Sequence, residues 1–248
     1  FSGNNELVLF DQTTLFSSTH GWDMVLGRLF PRGLMLLDSE EHRLHRRALS
    51  VAFKSEPMQS YLVALDAGIA ARVKRWRQQP EPMLFYPAMK QLTIDLAATS
   101  FLGADIGPEV GDVTRAFVDM VAASVTPIRT PWPGTPMARG VNGRKRIVAY
   151  FSQQIPIRRE KGGGDLFSQL CRATHDDGAL LSTQDIVDHM SFLMMAAHDT
   201  LTSSLTSFVS ALAANPSWQD KLRDEVAALN LGTHEATPLD KLNAMPLA

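Results

Sequence analysis

One cysteine in 248 residues excludes an internal disulfide framework and suits a reducing compartment. Charge of one sign is scarce as well. The chain carries 24 Lys and Arg against 26 Asp and Glu, a formal net charge of -2, so it lacks the basic excess that draws a protein to nucleic acid. No apolar run approaches the roughly 18 residues that a membrane-crossing helix needs, the longest lying around Phe192 to Ala197. Internal repeats and phosphate-cradling glycine loops are absent. So is metal-ligand spacing, because His42 and His45 stand three apart without the further ligands a zinc site would need. The adjacent aspartates Asp176 and Asp177 run into Gly178 without the additional acids of a metal-binding acidic cluster, which argues against an isoprenoid-synthase type of enzyme.

What is present is apolar and helical in rhythm. At 45% hydrophobic and 20% charged residues, the chain can bury a large core. Helical spacing of apolar residues predicts helices over 59–77, where Leu62, Leu65, Ile69, Val73 and Trp76 recur, and over 85–101 with Met89, Leu92 and Leu96. Further helices are predicted over 109–125 and 139–159. The run from Arg158 to Gly164 reads as a loop within one domain.

The longest helix predicted is 183–214, closed by Asn215-Pro216. At its centre lies Ala196-Ala197-His198-Asp199-Thr200, an acid beside an alcohol in an otherwise apolar stretch. Ala196 and Ala197 are small enough for a large flat group to lie against the backbone. The Thr200 hydroxyl can return to the Ala196 carbonyl, a bond that bends or opens the helix and leaves a notch for water or a small diatomic ligand. Spacing alone also fits a solvated Asp and an ordinary back-bonded Thr.

A second motif runs from Asp38 to Phe53. Ser39 reads as an N-cap with Glu40 and Glu41 in the first turn, where the helix dipole favours anions. His42 and Arg46 stand one turn apart on one face and form a fork suited to carboxylates or phosphates. Leu44, Ala48, Leu49 and Phe53 supply most of an apolar face. A solvated basic face is the competing reading, and neither reading names a ligand.

Together these motifs resemble the cytochrome P-450 family of haem-thiolate monooxygenases. That family has a long oxygen-activating helix with the pattern Ala/Gly-Gly-x-Asp/Glu-Thr-Thr/Ser, matched here by Ala196 to Leu201 with Ala197 in place of Gly and Leu201 in place of the second Thr or Ser. It also has a Trp or His followed four residues later by Arg on a haem propionate, a rule His42 and Arg46 fit. The stretch from Asn215 to Val226 is similar to the family's next helix. The proline-rich turn from Thr130 to Gly140, leading into Arg139, Arg144, Lys145 and Arg146, is similar to members that oxidise retinoids, sterols and other isoprenoids.

The resemblance implies a mostly α portion of that fold, with residues 1–248 forming a single incomplete haem-monooxygenase domain. The family's Glu-x-x-Arg and cysteine haem-ligand regions are not in this sequence, and Cys171 reads as a structural or semi-exposed thiol on a short amphipathic helix. Phe1 is no initiator, and Val8 to Asp11 is similar to a family region well inside the domain, so we expect an internal portion of a longer polypeptide. The resemblance assigns Asp199 and Thr200 catalytic roles in proton delivery, places haem b against His42, Arg46, Ala196 and Ala197, and sets Phe192 and Met195 beside the substrate. Phe192 and Met195 fit a helix-packing core about as well. His198 is expected to point to a neighbouring helix rather than line a solvent channel feeding Asp199.

The expected reaction is hydroxylation of an apolar, lipid-like or isoprenoid molecule, using O2 and two electrons from a ferredoxin or reductase. The expected protein is a cytoplasmic monomer that does not bind nucleic acid, with a membrane anchor upstream of Phe1 left open. The alternative is a non-catalytic all-α interaction module or a degenerate family member.

Overall fold

The computed structural model describes residues 15–103, 108–229 and 238–246, so the Val8 to Asp11 stretch lies outside the described residues. Ten α-helices run in chain order among those residues: α1 (Ser18–Trp22), α2 (Ser39–Ser50), α3 (Ser55–Gln78), α4 (Phe85–Leu102), α5 (Pro108–Ser124), α6 (Pro136–Lys161), α7 (Leu166–Arg172), α8 (Thr183–Ala214), α9 (Pro216–Ala228) and α10 (Leu239–Asn243). Strands are absent among the described residues apart from an isolated antiparallel bridge between Thr174 and Leu180. The mostly α fold expected from the sequence is therefore the one observed.

The chain folds as two compact units, each drawn from separate stretches. The first comprises the described residues up to Val51 together with Arg115–Glu160 and Leu170–Leu193. Its core holds Leu29, Phe30, Phe117, Met120, Met137, Ile147, Phe151 and Ile186, all essentially inaccessible to solvent. The rings of Phe30 and Phe117 pack with centroids 6.2 Å apart. Helices α5 and α6 meet here through small residues. A Cβ at Gly143 would fall 2.5 Å from the Ala116 carbonyl oxygen, and one at Gly140 would fall 2.3 Å from the Ala123 methyl. The absence of a side chain at these two positions lets the backbones approach this closely.

The second unit comprises the described residues of Ala52–Thr114, Lys161–Gln169 and those from Met194 onward. Its core centres on Met89, Leu92 and Leu96 of α4, with Leu65 and Trp76 of α3, Phe85 and Leu205 packed against them. These are the apolar positions whose period marked α3 and α4 in the sequence. The Tyr61 hydroxyl, buried and donating to the Ala52 carbonyl at 3.0 Å, has its pKa pushed up to about 12 by that burial.

Helix α8 contributes Thr183–Leu193 to the first unit and the remainder to the second. Uninterrupted apolar periodicity sustains it, and Asn215-Pro216 ends it because proline cannot continue the hydrogen-bond ladder. No helix among the described residues is long and apolar enough to cross a membrane.

Candidate functional site

In the first unit, α2 presents His42 and Arg46 to a cavity of about 440 Å3 that is also lined by Leu34, Met35, Asp38 and Phe192. A cavity of this size falls in the range of small-molecule sites. Arg46 is exposed, and neither its guanidinium nor the His42 ring has a hydrogen-bond or ion-pair partner among the described residues. The neighbouring cations on the same helix differ. Arg43 is tied to Glu40 at 3.1 Å, and Arg47 to Asp176. The ridge at positions 42 and 46 therefore has donors that are not engaged among the described residues, which is what a fork for an anion requires.

The N-terminus of α2 corrects one expectation. Ser39 is not the N-cap: Asp38 occupies that position with extended backbone (φ −119°), and Ser39 enters the helix at φ +50°, a region that non-glycine residues seldom visit. The Asp38 carboxylate turns away from its own helix to the start of α1, accepting from the Ser17 hydroxyl at 2.6 Å and the Ser18 amide at 2.8 Å. The Ser17 hydroxyl bond, foremost, holds the Asp38 pKa below the usual value against the opposing effect of burial.

Phe192 of α8 lines the same cavity and is only 8% exposed. The turn that enters the Leu34–Leu36 segment rests directly on its ring, since a Cβ at Gly33 would fall 2.7 Å from the Phe192 Cβ and Cγ. Of the eight sequence-predicted site residues, the structure gathers His42, Arg46 and Phe192 around one space.

The other five, Met195, Ala196, Ala197, Asp199 and Thr200, lie in the second unit on α8, and all but exposed Thr200 are half-buried. The helix is continuous through them, and the expected opening of the helix at Thr200 is not found. Thr200 makes no back-bond to Ala196. That role falls two residues on, to buried Thr202, whose hydroxyl donates to the His198 carbonyl at 2.8 Å. The reason is packing: Thr202 faces α4, where Thr93 Oγ1 meets its hydroxyl at 2.7 Å.

His198 points to α4, as expected, with Nδ1 at 3.0 Å from Thr93 Oγ1. Thr202 donates to the His198 carbonyl, and the single Thr93 hydroxyl proton lies within reach of both the Thr202 hydroxyl and, at 3.2 Å, the Lys90 carbonyl. His198 Nε2 is buried without a hydrogen-bond partner and stands 3.7 Å from Asp199 Oδ1. Burial lowers the His198 pKa, with Asp199 opposing and Lys90 assisting. Lys90 Nζ lies 4.0 Å from Asp199 Oδ1.

Sequence reasoning missed three polar features. His45 Nδ1 and His189 Nε2 meet at 2.7 Å in the core of the first unit. Arg144 pairs with buried Asp188 at 2.8 Å and donates to the Leu29 carbonyl. Arg139 and Arg146 both reach Asp119, at 3.6 and 3.5 Å, so three of the cations that carried the likeness to isoprenoid-oxidising members are engaged within the protein. Cys171 is fully buried on α7, and its carbonyl accepts from Arg159 Nε at 3.2 Å.

Comparison with known proteins gives a consistent answer. The "Cytochrome P450" family model matches residues 7–248. A protein of Mycobacterium tuberculosis named putative cytochrome P450 136 is 39% identical over 97% of this chain and 50% of its own length. Abscisic acid 8'-hydroxylase 2 of Oryza sativa is 28% identical over 90% of this chain and 45% of its own. The solved structure of retinoic acid bound cyanobacterial CYP120A1 superposes with a TM-score of 0.77 at 26% identity, covering 90% of this chain and 50% of that one. The chain thus spans about half the length of the relatives it matches. The long α8 with its Asp-Thr centre and the α2 ridge that carried the resemblance lie within the matched region, and the chain belongs to the cytochrome P450 family.

Proposed function

We propose that this chain is the part of a haem-dependent monooxygenase that grips the haem carboxylates and carries the proton-handling residues. The observation that supports this most is the pairing of His42 and Arg46 on a cavity wall, with Arg46 unpartnered among the described residues. The donor set fits the group: a guanidinium and an imidazole one helical turn apart suit a carboxylate such as a haem propionate. Phe192, in the same cavity, offers the apolar surface that a macrocycle or an apolar substrate needs. When bound, haem supplies the oxygen-activating and oxidising chemistry.

The chain's own residues take the remaining roles. His42 and Arg46 bind and orient the carboxylates. Ala196 and Ala197 keep the α8 surface low. Asp199 passes a proton on through its carboxylate, with Lys90 Nζ 4.0 Å away. Thr200 offers a hydroxyl with no competing partner among the described residues, so it can both accept and pass on a proton. Phe192 and Met195 border the substrate.

The substrate class we propose is an apolar, lipid-like or isoprenoid molecule that becomes hydroxylated with O2 and two electrons from a ferredoxin or reductase. The names of two relatives, an abscisic acid hydroxylase and a retinoic-acid-bound protein, support that class. A cytoplasmic monomer completes the reading. The test is an absorbance spectrum of the full-length protein, supplied with haem, reduced and exposed to carbon monoxide. The expected result is the red-shifted Soret band of an axial thiolate. An intact, folded protein without any haem band would overturn the proposal.

A further inference from the structure

The His45–His189 contact lies outside the roles assigned above, and its place is informative. His45 sits on α2 between His42 and Arg46 in sequence but faces inward, 7% exposed, and His189 of α8 is fully buried. Their nitrogens meet at 2.7 Å, and the rings cross at 60° with centroids 4.9 Å apart. His175, carried by the turn between Thr174 and Leu180, stands edge-on to His45 at 5.6 Å. His189 Nδ1 is buried with no hydrogen-bond partner.

We infer that His45 and His189 form a one-proton clasp, a pair of positioning residues that fixes where α2 presents His42 and Arg46 and that opens on acidification. An N–H···N bond needs one protonated and one bare ring nitrogen. It tolerates one charged ring and fails when both are charged, because two N–H groups would then face each other at 2.7 Å. Since His45 shares its helix with the anion-binding pair, failure of the clasp frees the ridge that holds the ligand carboxylate.

The charged groups facing the clasp are known from every side. Glu41 comes from α2 and Asp185 from α8, Arg32 bridges the two at 2.8 and 3.2 Å, and His175 comes from the turn after α7. Burial lowers the pKa of both rings most, with Arg32 and His175 adding to the lowering and Asp185 opposing it; His189 is also lowered by His45 and comes down to about 4. With folded values below the ordinary 6.5, the stability the pair contributes is complete above about pH 6.5 and is lost as pH falls toward about 4. The neighbouring Arg144–Asp188 pair is an ion pair in its own right and gives α8 an anchor that does not depend on the histidines.

The test compares the full-length protein with the H45L/H189L double variant, which replaces the clasp by apolar side chains of similar size. The thermal midpoint of the unsubstituted protein should fall by roughly 5 °C more than that of the variant between pH 6.5 and 4. Parallel profiles would overturn the clasp. In the haem-loaded proteins, the pH at which half the Soret absorbance is lost should shift downward in the variant by roughly half a unit. This second readout rests on the haem reading. A protein that never takes haem while the thermal difference persists would remove that reading and uphold the clasp. Should the variant not fold, histidine-selective 15N labelling of the unsubstituted protein decides: one exchange-protected ring N–H shared by the pair supports the clasp, and two rings titrating independently near 6.5 overturn it.

Discussion

Two polar regions of this molecule contain similar groups and treat them in opposite ways. On the α2 ridge, His42 and Arg46 face a cavity with their donors unspent among the described residues. Where α8 packs on α4, His198 and Thr202 bond to Thr93 of α4 inside a helix-packing interface. The difference teaches that residue type does not mark a binding group; an unfilled hydrogen-bonding capacity beside open space does. Arginines of the first unit repeat the lesson, since Arg144 is committed to Asp188 and Arg46 to nothing among the described residues.

If that distinction holds, substitutions should separate cleanly. D188A leaves the Arg144 charge unpaired in a buried setting and should cost about 3–5 kcal/mol in denaturant unfolding. R46A should leave stability within about 0.5 kcal/mol. It should weaken haem binding about 10- to 100-fold in a spectroscopic titration, the loss of one charge-assisted hydrogen bond at about 1.5–3 kcal/mol. T202V breaks the buried hydroxyl chain and should cost about 1–3 kcal/mol in the same unfolding assay. T200V, two residues away and exposed, should change stability by less than about 0.5 kcal/mol, so any loss of product formed per electron consumed would come from its hydroxyl alone. A T200V protein as unstable as T202V would break the comparison.

The same contrast explains what could be read without coordinates. The bounds of α8 were legible because its apolar period is unbroken and Asn215-Pro216 is an unambiguous stop. The ridge was legible because His42 and Arg46 lie four apart on one helix, a relation that sequence encodes directly. Choosing between Thr200 and Thr202 was not possible, since both can bond back along a helix and only the side facing α4 decides which does so. The clasp was invisible for a different reason: its partners are 144 residues apart, and no local pattern foretells such a meeting. The cap of α2 was misread as Ser39 because Asp38 takes that position while turning its carboxylate to the start of α1. The cations Arg139, Arg144 and Arg146 read as a substrate-class signature, and they prove to be engaged with Asp119 and Asp188.

Gly140 and Gly143 have a consequence for how this chain can vary. Because a methyl group at either position would meet Ala123 or the Ala116 carbonyl at 2.5 Å or less, no neighbour can step aside by rotating a side chain. Every nucleotide change in these two codons that alters the amino acid adds a β-carbon, so the helix crossing leaves natural drift no viable first step. In a saturation library selected for folded protein, these columns should be among the emptiest. Such constraint would arise without any contact to ligand.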